Sequence, residues 1–130
     1  MRKQLSPCPQ TPNCVSSESS NANQFIKPFT YQGTVEEATV QLRQILVSLP
    51  RTEIVEEEAG YLHAECISWL FRFTDDLEFS FDDSRKIIHV RSASRVGYSD
   101  LGVNRKRIES IRRQFHQGKQ ITDPDISSNE

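Results

Sequence analysis

No stretch of the chain is apolar over the roughly 18 to 20 residues that cross a bilayer, so no membrane span is expected. The opening MRKQLSPCPQ has positive residues but no apolar h-region, so a signal peptide is not expected either. Leu5-Ser6-Pro7-Cys8 echoes a lipobox, but it too lacks an apolar lead and has Pro7 before the cysteine. The signatures of known chemistry are missing: there is no Gly-x-Ser-x-Gly elbow, no HExxH, no P-loop and no GxGxxG. Cysteine is scarce, three in all, and Cys8 and Cys14 have no second Cys or His pair at a zinc-binding spacing. Neither a metal nor a cofactor is expected.

What is present suits one soluble globular domain: 130 residues, 35 % hydrophobic and 26 % charged, support a single core. The net charge of −2 hides an asymmetry. Glu53 to Asp83 holds ten acidic residues and one basic, whereas Arg85 to Lys119 holds ten basic and two acidic. Two solvated faces that attract each other are the plain reading; an anion-attracting surface around the last loop and helix is the functional one. A sequence pI near 5.9 and the acidic middle argue against a nucleic-acid partner.

Residues 1–24 are rich in Pro, Ser, Asn and Thr, which predicts an irregular arm. Within it Cys8 and Cys14 enclose PQTPN; they are read as plain reduced thiols, with a disulfide the alternative in an oxidising compartment. Residues 25–118 form the predicted domain and 119–130 a polar tail. FIKPFTYQG, residues 25–33, suggests a short edge strand with Pro28 inside it. Thr34 and Glu37 make a capping box ahead of Val35, Ala38, Leu42, Ile45, Leu46 and Leu49, so a helix is predicted over 34–49, stopped by Pro50. Four strand-like runs follow at 52–58, 61–68, 70–82 and 86–94. The third alternates, with Phe71, Phe73, Leu77, Phe79 and Phe81 on one face and Glu78 on the other. A last helix is predicted from Val103 or Asn104 to a stop at Gly118, with Ile108, Ile111 and Phe115 on one stripe. The order strand, helix, four strands, helix predicts an α+β domain: a curved antiparallel sheet with helices on one face.

The stretch from Ile87 to Ile108, IIHVRSASRVGYSDLGVNRKRI, is where a site is expected. Arg91, Arg95, Arg105 and Arg107 bring planar, permanently charged donor forks, and Ser92, Ser94, Ser99 and Asn104 add small polar partners. Gly97 and Gly102 allow close backbone approach or positive φ beside Asp100, and the start of the last helix adds free amides. Three readings follow. The favoured one is a non-catalytic module that binds an anionic small molecule or an acidic protein at Arg91, Ser94, Arg95, Gly97, Asp100, Asn104 and Arg105, with His89 and Glu78 near by on one sheet face. The second is a small hydrolase or isomerase using His89 with Glu78 or Asp100; whether the protein is an enzyme stays open, and no catalytic residue is assigned. The third is a structural or assembly protein with no ligand, its arginines absorbed by Asp100 and neighbouring carbonyls.

CPQTPNCVSS, YLHAE at 61–65, FRFTDDLEF at 71–79 and above all VRSASRVGYSDLGVNRKRIESIR at 90–112 resemble the bacterial and plastid family called domain of unknown function 1499 (DUF1499). The resemblance runs from Cys8 to about Phe115. It implies no settled activity, cofactor or catalytic residue. Exported or anchored members would fit an oxidised Cys8 and Cys14, so the expected place is the cytoplasm as written, or the periplasm or thylakoid lumen if an export signal has been removed. The β-α-β4-α order also resembles TATA-binding-protein-like and lipid-transfer-like folds, a likeness of architecture alone.

Overall fold

The computed structural model describes residues 2–69, 72–97 and 100–120, with side chains to residue 118. Leu70, Phe71, Ser99 and most of the expected polar tail lie outside the described residues. The capping box starts helix α1, Val35–Ser48: the Thr34 hydroxyl accepts from the Glu37 amide, and the Glu37 carboxylate accepts from the Thr34 amide. Its inner stripe buries Ala38, Leu42 and Leu46.

Four antiparallel strands make the body of the sheet: β3 Thr52–Glu58, β4 Tyr61–Ile67, β5 Thr74–Asp82 and β6 Ile87–Ser94. The third run was expected from Leu70, but its strand begins at Thr74, after Arg72 at φ 61. Two short strands flank β6 on its other side, β1 Cys14–Ser16 and β2 Phe29–Thr30. The sheet order is β1-β6-β5-β4-β3, with β2 also beside β6. The expected edge strand at 25–33 therefore pairs over two residues, beginning after Pro28, which has no amide to donate. The N-terminal arm supplies a strand that its composition did not signal, because Cys14, Val15 and Ser16 bury against β6 rather than against each other.

Helix α2, Val103–Gln120, runs through Gly118 instead of ending there. A Cβ at Gly118 would stand 2.9 Å from Nε2 at the end of the Gln41 side chain on α1. Both helices pack on one sheet face, where Leu62, Leu77, Phe79, Ile88 and Val90 meet Leu42, Leu46, Ile108, Ile111 and Phe115 in one core. The Phe29 ring lies 5.9 Å from Phe115 and 6.2 Å from Phe79, joining helix to sheet. The architecture is α+β with a six-stranded antiparallel sheet, and no helix among the described residues is long and apolar enough to cross a membrane.

The opposite face is polar. Register places Tyr61, Ser80 and His89 in one row across β4, β5 and β6, His63, Glu78 and Arg91 in the next, and Glu65, Asp76 and Ala93 in a third. Residues 2–8 lie across this face as a strap, and a Cys8–Cys14 disulfide joins the strap to β1. The thiols read as reduced from sequence are thus bonded, because β1 and the strap bring their Cα atoms to 5.8 Å.

Candidate functional site

The Arg91–Arg107 segment divides at the end of β6, because alternate residues of a strand face opposite ways. Ser92 and Ser94 point to the helix side and enter a buried network centred on Asn104, which is fully buried at the start of α2. Asn104 Nδ2 donates to Asn13 O, Ser94 Oγ and Asp100 Oδ2, and its Oδ1 accepts from Ser92 Oγ and from Arg107 Nη1 at 2.9 Å. Arg107 also pairs with buried Asp75 at 2.9 Å. Asp100 closes the helix start, accepting from the amides of Gly102 and Asn104 at 2.8 and 3.0 Å. That places a carboxylate at the positive end of the helix. Gly97 and Gly102 have φ of +85° and +81°, the region that glycine enters without penalty, and the Gly97 carbonyl accepts from Asn13 Nδ2.

Arg91 and Arg95 point to the strap side instead. Arg91 Nη2 donates to the Pro7 carbonyl at 3.0 Å, and Nη1 stands 4.0 Å from Glu78. Its Nε is the one buried side-chain polar atom among the described residues that lacks a hydrogen bond. Glu78 is 5 % exposed and accepts from Ser6 N, Ser6 Oγ and Tyr61 Oη at 2.8 to 2.9 Å. Burial, then the bond to Glu78, pushes the Tyr61 hydroxyl well above its usual pKa. Ser80 donates to the Lys3 carbonyl, while Lys3 reaches Glu56 and Glu58 across the Tyr61 ring.

Arg95 grips Asp76 with Nε and Nη2 at 2.7 and 2.9 Å and Glu65 at 2.6 Å. Burial raises the Asp76 carboxyl, but Arg95 and His63 outweigh it and hold it below its ordinary pKa. His89 is 8 % exposed. Ser17 Oγ accepts the Val90 amide and shares a hydrogen bond of 3.1 Å with His89 Nδ1. Burial lowers the His89 pKa. Glu78 and His89 lie on the same face, yet their hydrogen bonds go to different partners.

Arg105 faces away from all of these. It donates to the Phe25 and Asn23 carbonyls at 2.9 and 3.1 Å and lines a groove of about 720 Å³ between α2 and residues 25–30. The groove is walled by Phe25, Ile26, Pro28 and Thr30 and carries Lys27, Arg105 and Arg112 against Glu109, with His116 at one side. Arg112 bonds to the Lys27 and Pro28 carbonyls and lies over the Phe29 ring at 5.0 Å. Of the residues expected to form one site, then, Ser94, Gly97, Asp100 and Asn104 meet on the helix side, Arg91, Glu78, His89 and Arg95 on the strap side, and Arg105 in the groove.

Sequence reasoning passed over Asn13, Asp75, Ser6 and Tyr61, which complete the two networks. Asp75 was the findable one, since it stands among Phe73, Leu77 and Phe79 on the apolar side of the alternation. No curated protein and no solved structure matches the chain significantly. A family model does: it spans residues 4–115 and is described as Protein of unknown function (DUF1499), and it is to this family that the chain belongs.

Proposed function

We propose that this protein is a non-catalytic module that binds an anionic ligand with an apolar portion, seated in the groove beside α2. The observation that carries the reading is the composition of that groove: three cations, Lys27, Arg105 and Arg112, face one carboxylate, Glu109, over an apolar floor of Phe25, Ile26 and Pro28. An anion there gains from fixed charge, and an apolar tail gains from leaving water. Arg105 is the member of the arginine-rich segment that lines this groove, held at its rim by the Phe25 and Asn23 carbonyls, whereas Arg91, Arg95 and Arg107 point into the two polar networks. Support for leaving catalysis aside comes from Glu78 and His89, both more than nine-tenths buried and committed to Ser6, Tyr61 and Ser17.

Hexyl phosphate, inorganic phosphate and hexanol separate the charge from the tail. Binding at a hundred times the dissociation constant adds about 2.7 kcal/mol, roughly 8 to 13 °C of melting temperature for a domain of this size. Hexyl phosphate should give such a rise, and Lys27→Glu, at an exposed position, should remove it without lowering the melting point of the free protein. The competing reading is a structural protein with no ligand, favoured by how fully the arginines are engaged, Arg105 by two carbonyls and Arg112 by two carbonyls and Glu109. A flat response to every probe would choose it.

A further inference from the structure

Residues 2–8 sit on the polar face of the sheet as a bound peptide would. Register sets two rows across four strands: Glu58, Tyr61, Ser80 and His89 in one, and Glu56, His63, Glu78 and Arg91 in the next. The strap meets both rows largely through its backbone. The Ser6 amide and hydroxyl donate to Glu78, the Pro7 carbonyl accepts from Arg91, and the Lys3 carbonyl accepts from Ser80. Beside these contacts Arg2 pairs with Glu18, and Lys3 pairs with Glu56 and Glu58. A strap that lifted away would take both cations with it and leave Glu18, Glu56, Glu58 and Glu78 around Arg91. The other charges near by are already matched, His63 and Arg95 by Asp76 and Glu65, and Arg85 by Asp82.

The strap fits this face incompletely. Arg91 Nη2 has the Pro7 carbonyl, but the buried Nε has no partner, and a buried donor without an acceptor is costly. Leu5 is the strap's buried apolar side chain; its other contacts are polar, and each such bond adds little once water is the alternative. Ordering residues 2–8 loses chain entropy that these contacts must outweigh. The Cys8–Cys14 disulfide helps them by fixing the end of the strap to β1. Cys14 is 1 % exposed, but Cys8 is partly exposed and lines a cleft of about 250 Å³ with Pro7, Ser16, Glu18 and Gln24. Cys8 is therefore the sulfur that a reductant can reach.

We propose that this face is a peptide site held closed by the chain's own residues 2–7, and that reducing Cys8–Cys14 opens it to a basic, extended segment of a partner protein. The reductant is a dithiol. One of its thiolates attacks Cys8 Sγ, the bond to Cys14 breaks, and Cys14 leaves as a thiolate that takes up a proton. The second sulfur of the dithiol, as thiolate, then attacks the first, expels Cys8, which is protonated in turn, and closes the reductant into a disulfide. Two electrons and two protons thus pass to the cysteines. The strap itself shows the chemistry that fits: cations where Arg2 and Lys3 meet Glu18, Glu56 and Glu58, and an amide and hydroxyl where Ser6 meets Glu78. A segment that also brought an acceptor to Arg91 Nε would bind better than the strap does. The site lies on the sheet face away from α2 and does not depend on the groove there.

The probe is the peptide RKQLSP, the sequence of residues 2–7, with both ends blocked. A freed strap competes at a local concentration of millimolar order, so the peptide is titrated to about 10 mM against the full chain and followed by amide NMR. In dithiothreitol it should give saturable shifts at Tyr61, Glu78 and Ser80, and in the oxidised protein binding should be about tenfold weaker or absent. QQQLSP, which lacks the two cations, should bind the reduced protein roughly three- to tenfold more weakly at low salt. Lys3→Gln in the protein, at an exposed position, should tighten binding of RKQLSP about twofold, because it weakens the competing strap; a strap that only stabilises the fold would not give that gain. No saturable shift in the reduced protein, equal binding in the oxidised one, or equal binding of the two peptides would overturn the proposal. A doubling of mass on reduction with no peptide present would overturn it in favour of straps exchanged between two copies of the chain.

Discussion

Helices α1 and α2 cover one face of the sheet with Leu42, Leu46, Ile108, Ile111 and Phe115, whereas residues 2–8 cover the other with hydrogen bonds and ion pairs, Leu5 being their buried apolar side chain. The two covers hold by different physics. Apolar contact is non-directional and grows with area, so the helix side tolerates small shifts. A buried polar network is directional, and each unpaired member is costly. The comparison teaches why forked donors in a sequence need not mark an open site. On the strap side Glu78 and Arg91 are occupied by Ser6 and Pro7, and on the helix side Asn104 and Arg107 are occupied by one another and by Asp75.

The largest effect expected from breaking this contrast is on the helix side. Phe79→Ala should cost about 3 to 5 kcal/mol in denaturant unfolding, with loss of the whole cooperative transition. Glu78→Leu, directly beside it in sequence, should cost about 2 to 3 kcal/mol by leaving Ser6 and Tyr61 unpaired, and should open residues 2–8 to protease while the core stays folded. Equal costs and one shared transition would mean that strap and core are a single unit. Next comes the staple: Cys8→Ser with Cys14→Ser should cost about 2 kcal/mol, as expected for closing a short loop.

Arg95→Ala sharpens the comparison at its exposed rim. Its pairs with Asp76 and Glu65 are half in solvent, so the loss should be below about 1 kcal/mol in a melt and should shrink further in high salt. The smallest effect is pH-dependent. Burial lowers the His89 pKa from 6.5, so the unfolded chain takes up the proton first. Stability from this group is complete above pH 6.5 and falls as pH drops below it towards the folded-state pKa. His89→Gln should flatten that part of the stability profile.

The helix side was legible because its signals are local and periodic. The capping box at Thr34 and Glu37, the stripe Ala38, Leu42 and Leu46, and the alternation Leu77, Phe79, Phe81 each point to one element and one face. The strap was not legible, because its partners are remote: Ser6 meets Glu78 and Arg91 meets Pro7 across more than seventy positions of chain. A composition poor in apolar residues reads as irregular whether or not such partners exist. The arginine-rich stretch was legible as a concentration of donors, but strand alternation sent Arg91 and Arg95 to one side and Ser92 and Ser94 to the other. Nothing local announced that Asn13 and Asp75 would complete the helix-side network.

The measurement closest to the central claim is backbone amide hydrogen exchange at Ser6, whose amide donates to buried Glu78 at 2.8 Å. The account predicts that this amide is protected in the native protein. It also predicts that reducing the Cys8–Cys14 disulfide removes the protection while the amides of Phe79 and Val90 keep theirs. A Ser6 amide that exchanges at the free-chain rate in the native, oxidised protein would contradict it, and would leave the polar face of the sheet open rather than covered.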